Sequence, residues 1–166
     1  MRQTLTTQRL TLRPFVMDDA DDLVRLIGNL NVSKWLTIVP HPYTMADAGF
    51  FITSLASQGA TYAVCRDGAL IGCVAIADQL GYWYAEPHWG QGFATEAASA
   101  VVAEYFMGPS QDLTSGYHLG NAGSRHVLEK LGFVPTDLRN AYSKAQHREV
   151  LLQDMVLTRT RWEGLQ

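Results

Sequence analysis

The sequence predicts an α/β domain built around a mixed β-sheet. Segments in which apolar and polar residues alternate recur along the chain, as is typical of strands, and segments with apolar residues three and four apart separate them. Two strand–helix–strand units in the second half favour parallel neighbours, because a crossover helix joins parallel strands. No linker, repeat or low-complexity stretch interrupts residues 1–166, so we expect one domain.

The first part of the chain predicts a strand, two helices and a connecting loop. Arg9–Arg13 alternates polar and apolar residues and is predicted to be a strand. Asp18 is expected to cap the first helix. Leu30–Tyr43 contains two prolines and is expected to be a loop. Thr44, with an aspartate three residues later, resembles a capping box and marks the start of the second helix.

Three strands and a third helix are expected in the middle of the chain. Asp67-Gly68 predicts a hairpin turn between Thr61–Cys65 and Leu70–Ala77. Gly81–Ala85 is predicted to be the next strand. The helix that follows a glycine turn carries small residues on one face, so it is expected to lie close to the sheet and to end at Gly108-Pro109.

The last part of the chain predicts a strand, a helix and two further strands. Leu113–Leu119 has a strand pattern, and Asn121 is expected to cap the fourth helix, which ends at Gly132. A strand is expected to begin just after this glycine. Thr136–Arg148 is polar and is expected to be a loop, and Val150–Leu157 is expected to be the last strand.

The composition is typical of a soluble globular protein and argues against several functional classes. Hydrophobic residues make up 47% of the chain and charged residues 17%, with a net charge of −3 and no run of lysine or arginine, so nucleic acid is not expected as a primary ligand. No apolar run approaches the roughly 20 residues that span a membrane, and Met1–Thr4 shows no apolar signal region. Cys65 and Cys73 lack metal-ligand spacing, so we expect no metal and two free thiols in a cytoplasmic protein.

A short glycine turn at Gly90-Gln91-Gly92 lies between a predicted strand and a helix N-terminus. The first N–H groups of a helix have no intrahelical partner, and the helix dipole is positive at that end, so such a turn is suited to bind an anion. Glycines let a phosphate approach the main chain closely. The spacing is neither a Rossmann fingerprint nor a P-loop, so the turn alone predicts only a site for an anionic group.

Three segments resemble the GCN5-related N-acetyltransferase (GNAT) superfamily, specifically its ribosomal-protein N-terminal (RimJ/RimL-like) branch. The first, Trp89 to Ala97 (WGQGFATEA), resembles the pyrophosphate loop, although the family usually has Arg or Gln in place of Trp89. The second, Asn121 to Phe133, resembles the segment on the other side of the coenzyme A site. The third, Gln8 to Phe15, resembles the first strand of this branch. The three segments occur in the family's order and span most of the chain.

The resemblance implies a mostly antiparallel sheet of six to seven strands with about four helices. Two central parallel strands are expected to splay apart, and the pantetheine arm of acetyl-CoA, the co-substrate, is expected to lie between them. Backbone N–H groups near the end of the fourth strand are expected to bind the thioester carbonyl, as in an oxyanion site. The residues implied in cofactor binding are Tyr84, Ala85, Gly90, Gln91, Gly92, Phe93, Ala94, Thr95, Asn121 and Ser124.

The sequence offers several candidates for proton transfer. Glu86 follows the splayed strand and is the first candidate for the general base, whereas its alternative is a solvated loop residue. His118 is the rival base, since imidazole titrates near neutrality, or else a packed histidine; an ordered water is a third route. Many relatives use a tyrosine seven residues after the capping asparagine as the acid. Leu128 stands there, so Ser124 is the candidate substitute, with a purely structural helix-end role as its alternative.

The acceptor is expected to be a primary amine, either a protein N-terminus or a small molecule. His41 and Tyr43 lie in the loop that shapes the acceptor pocket in the family. The further aromatic residues expected to line this pocket are Trp35, Trp83 and Tyr142. A non-catalytic acyl-CoA-binding sensor or regulatory module is the alternative function, and a homodimer is compatible with the resemblance.

Overall fold

A computed structural model describes residues 3–166 of the chain. Met1 and Arg2, part of the N-terminal segment discussed above, lie outside the described residues. The strands are β1 (Leu5–Thr6), β2 (Thr11–Arg13), β3 (Ala60–Arg66), β4 (Ala69–Ile76), β5 (Leu80–Tyr84), β6 (Asp112–His118), β7 (Val134–Ser143) and β8 (Arg148–Thr158). The α-helices are α1 (Ala20–Ile27), α2 (Leu30–Ser33), α3 (Met45–Phe50), α4 (Phe93–Met107), α5 (Ala122–Leu131) and α6 (Arg159–Gly164).

The strands form two sheets rather than one. The first has the order β1-β2-β3-β4-β5 and the second the order β6-β8-β7, and every strand pair in residues 3–166 is antiparallel. β6 and β7, joined through α5, are parallel to each other but are separated by β8. β5 and β6, joined through α4, share no backbone ladder. The α/β class is confirmed, whereas neither crossover joins hydrogen-bonded neighbours.

Two apolar clusters lie on opposite faces of the first sheet. One includes the buried side chains of α4 and α5, and the small residues Ala97 and Ala98 are fully buried there, as expected for a helix lying close to a sheet. The other packs α1 and α3 against Cys73 and Trp83. Alternate positions of β5 therefore face different clusters: Tyr82 and Tyr84 face the α4 side, whereas Trp83 faces the α1 side.

Local sequence signals predicted several elements correctly. The hairpin at Asp67-Gly68 joins β3 and β4. Thr44 and Asp47 form the capping box of α3, with the Asp47 amide donating to Thr44 Oγ1 at 3.2 Å. Asn121 Oδ1 accepts from the Ser124 amide at the start of α5. These features depend on residues close together in the chain, which is why the pattern identified them.

Other expectations were wrong. Asp18 does not cap α1. The residue directly before this helix is Asp19, and its carboxylate accepts a hydrogen bond from the Val16 amide at 2.9 Å. Leu30–Tyr43 contains a short helix, α2. Most of Thr136–Arg148 belongs to β7 and to the start of β8, because β7 pairs with β8 along the sheet edge and leaves its polar side chains exposed. β1 and α6 were not predicted.

An ion pair ties β2 to the start of α1. Arg13 donates from Nη1 and Nη2 to the two oxygens of Asp19 at 2.8 and 2.7 Å, and Asp19 is 5% exposed. Burial alone would raise the pKa of Asp19, but the hydrogen bonds from Arg13 and Val16, with the charge of Arg13, lower it overall. Asp19 is therefore ionised at neutral pH and stabilises the folded state.

We expect Asp19→Ala to lower the free energy of unfolding by roughly 2 to 4 kcal/mol, because it leaves Arg13 and the Val16 amide without their acceptor. Urea denaturation measures this change. Asp22→Ala is the matched control, because Asp22 pairs with Arg25 on the exposed surface of α1, and it should change stability by less than about 0.5 kcal/mol.

The effect of Asp19→Ala should also depend on pH. A carboxylate with a lowered folded-state pKa stabilises the protein above its unfolded pKa of about 3.9, and this contribution is lost as the pH falls through the folded-state pKa. The stability difference between wild type and Asp19→Ala should therefore be full near neutrality and shrink in acid. A difference that does not change with pH would contradict the assigned role of the carboxylate.

Candidate functional site

The glycine turn leads directly into the N-terminus of α4. Gly90 and Gly92 have φ angles of 70° and 81°, a left-handed conformation that favours glycine. The first helical hydrogen bond runs from the Glu96 amide to the Gly92 carbonyl at 3.0 Å. The three N–H groups before it, on Phe93, Ala94 and Thr95, therefore have no helical partner and are available to an anion.

Arg9 lies beside this turn and was not predicted as a site residue. Its Nη1 donates to the Gln91 carbonyl at 2.9 Å, and its guanidinium carbon lies 4.4 Å from the centre of the Phe93 ring. A Cβ at Gly92 would lie 3.3 Å from Arg9 Nη2. Arg9 is part of the segment that resembles the family's first strand, but its contact with the turn depends on the tertiary fold.

Glu96 fastens the N-terminal segment to the first turn of α4. Its carboxylate accepts from Thr7 Oγ1 at 2.6 Å, the Arg9 amide at 2.8 Å and Arg9 Nε at 2.7 Å. Burial would raise the pKa of Glu96, but these hydrogen bonds and the Arg9 charge outweigh burial and lower it. The carboxylate stays ionised and is compensated by Arg9, which fixes the guanidinium beside the free amides of the turn.

Only some of the backbone hydrogen-bonding groups on the edge of β5 that faces β6 have partners. The Ala85 amide donates to the Ile71 carbonyl at 2.9 Å, so it is not free to bind a ligand, contrary to expectation. No bulge interrupts β5, which pairs with β4 in continuous register. Because ladder groups alternate in direction, the N–H groups of Tyr82 and Tyr84 both point away from β4, towards the gap between β5 and β6. The Tyr84 amide is the one of these two donors that lies nearer the glycine turn.

Two side chains donate hydrogen bonds to backbone carbonyls on the same edge. Trp89 Nε1 donates to the Tyr84 carbonyl at 2.7 Å, and Ser115 Oγ donates to the Leu80 carbonyl at 2.8 Å. Trp89 thus links the glycine turn to the end of β5. The open part of the edge lies between these two contacts.

Ser124 has a tyrosine partner that sequence analysis missed. The Tyr82 hydroxyl lies 2.9 Å from Ser124 Oγ and also contacts the Ser124 carbonyl at 3.2 Å. Burial raises the pKa of Tyr82 to about 12, although the Ser124 contact lowers it, so the phenol stays protonated. Leu128 is fully buried in the core. The alternation of β5, which places Tyr82 on the same face as Tyr84, was the signal that could have identified Tyr82.

The segment 28–43 contacts both sides of the gap between β5 and β6. Near β5, Asn29 Nδ2 donates to Glu86 Oε2 at 3.3 Å, and Glu86 is exposed. Near β6, the Trp35 ring packs edge-on against His118, with centroids 6.0 Å apart. The Lys34 carbonyl accepts from Gln146 Nε2 at 2.8 Å. Glu86 and His118 are thus both in contact with segment 28–43, one from each side of the gap.

A small pocket of about 130 Å³ lies beside His118. Its lining residues are Trp35, His118, Leu119, Gln146, Arg148, Val150 and Leu151. His118 is 6% exposed, and burial, with the positive charge of Arg148, lowers its pKa. The imidazole is therefore neutral at neutral pH. Arg148 and Gln146 were not predicted, because the β7–β8 hairpin that carries them was read as a loop.

Three other aromatic residues that were expected near the acceptor, Trp83, Tyr43 and Tyr142, lie away from the pocket beside His118. Trp83 is buried in the cluster beneath α1 and α3, and Tyr43 packs against the same cluster. Burial, followed by the nearby Asp47 charge, raises the pKa of Tyr43 to about 12. Tyr142 is exposed on β7. Of Trp35, Trp83 and Tyr142, only Trp35 lines the pocket beside His118.

Residues 3–166 contain no group of three or more His, Cys, Asp or Glu side chains arranged to hold a metal ion. None of the helices in this part of the chain is long and apolar enough to cross a bilayer.

Comparison with known proteins identifies relatives along nearly the whole chain. A family model described as an acetyltransferase (GNAT) domain matches residues 9–134. The N-acetyltransferase p20 of Bacillus licheniformis is 27% identical over 177 residues, covering 98% of this chain and 99% of p20.

Solved structures share the fold at lower identity. RimJ of Mycobacterium smegmatis, in complex with CoA-disulfide, has a TM-score of 0.78 at 19% identity and covers 98% of this chain and 94% of its own. The microcin C7 self-immunity acetyltransferase MccE, in complex with acetyl-CoA and AMP, has a TM-score of 0.77 at 17% identity, covering 91% and 93%.

We expect Arg148→Gln to raise the pKa of His118, because it removes the positive charge that helps to disfavour the imidazolium. NMR titration of the His118 ring measures the change. Arg25→Gln removes an exposed arginine of α1 and is the control. An unchanged His118 titration in Arg148→Gln would mean that the two side chains do not share the pocket in solution.

Proposed function

The chain belongs to the GNAT acetyltransferase family, whose members use acetyl-CoA as acetyl donor, and we propose that it acetylates a primary amine, either of a small molecule or at a protein N-terminus. The observation that carries the proposal is the glycine turn, whose three free amides lie beside Arg9 and at the end of the open β5 edge. One continuous surface thus offers groups for the phosphates and for the thioester of one elongated ligand.

The pyrophosphate is assigned to the turn from Gly90 to Thr95. Support comes from the unpaired amides of Phe93, Ala94 and Thr95, and from the positive end of the α4 dipole. Gln91 donates from Nε2 to the Pro87 carbonyl at 3.0 Å, which holds the turn in place. Arg9 adds a positive charge whose partner, Glu96, already neutralises it in part, so the site attracts phosphate without a large unpaired charge.

The pantetheine arm and the thioester are assigned to the edge of β5. The Tyr84 N–H is the proposed donor to the thioester carbonyl, where negative charge develops as the amine attacks. Ala85 shapes the end of the strand, but its amide is already bonded to Ile71. Asn121 and Ser124 lie across the gap at the start of α5, where Asn121 caps the helix.

Acetyl transfer requires two proton movements. The acceptor nitrogen attacks the carbonyl carbon, the carbon–sulfur bond breaks, and the bonding pair leaves on the sulfur. A base removes the proton of the attacking amine, and an acid donates a proton to the leaving thiolate. Coenzyme A and the acetylated amine are the products.

The Tyr82–Ser124 pair is the proposed acid. The two hydroxyl groups are within hydrogen-bond distance of each other, and burial raises the pKa of Tyr82, so its phenol carries a proton at neutral pH. We assign proton donation to Ser124 Oγ, which Tyr82 orients and can reprotonate. The pair supplies hydroxyl groups on this chain despite Leu128, which argues against the non-catalytic alternative.

His118 is the better-supported base. A general base must be unprotonated and must lie near the acceptor, and His118 is neutral and lines a pocket. Glu86 is exposed and hydrogen-bonded to Asn29, so it is the second candidate and acts through solvent if it acts at all. If His118 is the base, the activity should fall as its imidazole becomes protonated.

Calorimetric titration with acetyl-CoA, followed by thiol release with a panel of amines and short peptides, tests the function. Binding and thiol release that depends on an added amine are expected. Absence of acetyl-CoA binding, or binding without thiol release for any amine, would contradict the proposal.

We expect Gly92→Val to abolish acetyl-CoA binding in calorimetry, because the added side chain forces an unfavourable backbone conformation and crowds Arg9 at the phosphate site. Gly68→Val is the matched control: Gly68 has a φ of 82°, close to the 81° of Gly92, but lies in the β3–β4 hairpin with open space around it. If both variants bind acetyl-CoA equally well while folded, the turn is not the phosphate site.

We expect Ser124→Ala and Tyr82→Phe each to lower kcat by about 10- to 100-fold, while the Kd for acetyl-CoA stays within about threefold. Steady-state thiol release and calorimetry provide the two numbers. Tyr105→Phe is the control, because the Tyr105 hydroxyl donates to the Asp112 carbonyl, away from Ser124. Wild-type kcat in both test variants would remove the pair from the mechanism.

A further inference from the structure

The pocket beside His118 contains a positive charge that has no acidic partner. Arg148 lines this pocket, and among residues 3–166 it forms no ion pair. Every ion pair of the described chain lies elsewhere. A second cation is close, because Lys34 Nζ lies 5.2 Å from the centre of the Trp35 ring. The one ionised side chain among the residues that line the pocket is therefore a cation, although the whole chain has a net charge of −3.

The Arg148 side chain is held in one orientation by hydrogen bonds. Its Nε and Nη2 donate to Gln146 Oε1 at 3.0 and 2.7 Å. The Gln146 amide nitrogen in turn donates to the Lys34 carbonyl. This chain of contacts joins the β7–β8 hairpin to segment 28–43 and fixes one edge of the guanidinium.

The other edge of the guanidinium is open. Nη1 makes only a long contact with the Glu149 carbonyl, at 3.5 Å, and Nη2 has a second hydrogen that Gln146 does not use. Two parallel N–H groups on one edge match the two oxygens of a carboxylate or phosphate. Arg148 is exposed, so water solvates this edge until an anionic ligand replaces it.

The remaining walls limit what else can enter. Trp35, Val150 and Leu151 are apolar, and the neutral imidazole of His118 carries no charge to repel an amine. A volume of about 130 Å³ holds only a compact group. The phosphates of acetyl-CoA have a separate arginine, Arg9, at the glycine turn.

We propose that the acceptor carries an anionic oxygen group, a carboxylate or a phosphate, which binds the open edge of Arg148 and positions the acceptor amine at His118. This inference rests on the proposed function, because it places the acceptor in the pocket beside the base. It narrows the primary amine to an amino acid, an acidic peptide or an amino phosphate, and it gives Arg148 a role in specificity.

Acceptor pairs that differ only in charge test the inference. Amino acids and dipeptides are compared with their C-terminal amides, and phosphoethanolamine is compared with ethanolamine, by acetyl-CoA-dependent thiol release. The charged member of at least one pair should have a kcat/KM about tenfold or more above its neutral partner. The type of pair that shows the preference identifies the group as carboxylate or phosphate.

The comparison is made above the pH at which His118 titrates in either protein, so that the base is unprotonated in both. There Arg148→Gln should remove this preference mainly by raising KM for the charged acceptor, with a smaller change for the neutral acceptor. Gln146→Ala keeps the Arg148 charge but removes the acceptor that orients the guanidinium. It should lower the preference for the charged acceptor by less than Arg148→Gln does. Arg25→Gln is the control that removes one arginine outside the pocket. Equal losses for charged and neutral acceptors in Arg148→Gln would show a structural role only and would overturn the inference.

A binding measurement separates this inference from the proposed function. The indole N–H resonance of Trp35 is followed by NMR as glycine, glycinamide, phosphoethanolamine and ethanolamine are added. A shift caused by a charged probe, absent for its neutral partner and absent in Arg148→Gln, supports the anion site even if no acceptor is acetylated, in which case only the transferase proposal fails. Acetylation that favours the neutral acceptors, or a Trp35 resonance that responds equally to both members of a pair, would overturn the inference.

Discussion

The site depends on two strands that lie side by side without pairing. Exposed backbone groups on a strand edge must find partners, since an unpaired buried N–H or carbonyl is costly. On β5 the two carbonyls at the ends of the edge are bonded to side chains, Leu80 to Ser115 and Tyr84 to Trp89. These contacts satisfy the two end carbonyls without a neighbouring strand, and the backbone groups between them are left for a ligand that supplies its own hydrogen-bonding groups.

The two arginines beside the gap differ in their partners. At the glycine turn, Arg9 forms an ion pair with Glu96, and the same pair holds the N-terminal segment against α4. At the opposite side, Arg148 is oriented by a neutral glutamine and keeps its full charge. Arg9 is thus paired within the chain, whereas one edge of the Arg148 guanidinium is open to the proposed ligand.

Sequence reasoning predicted the features of the fold and of the candidate site that are local in the chain. The glycine turn, the Asn121 cap and the β3–β4 hairpin follow from short motifs whose geometry depends on adjacent residues. Tyr82 was missed because its contact with Ser124 joins residues 42 positions apart. Only the start of β7 was predicted, because an edge strand with solvent on most of its length lacks a regular apolar alternation. The pocket residue Arg148, at the start of β8, was missed for the same reason. The expected Ala85 donor was wrong because a continuous ladder already uses its amide.

The most direct test of the central claim is to titrate ¹⁵N-labelled protein with acetyl-CoA and follow the backbone amides. The account predicts large, saturable shifts for Phe93, Ala94 and Thr95 at the turn, together with Tyr84 at the edge of β5. Saturable shifts confined to other regions, or no shifts in a folded protein, would contradict the assignment of this gap as the acetyl-CoA site.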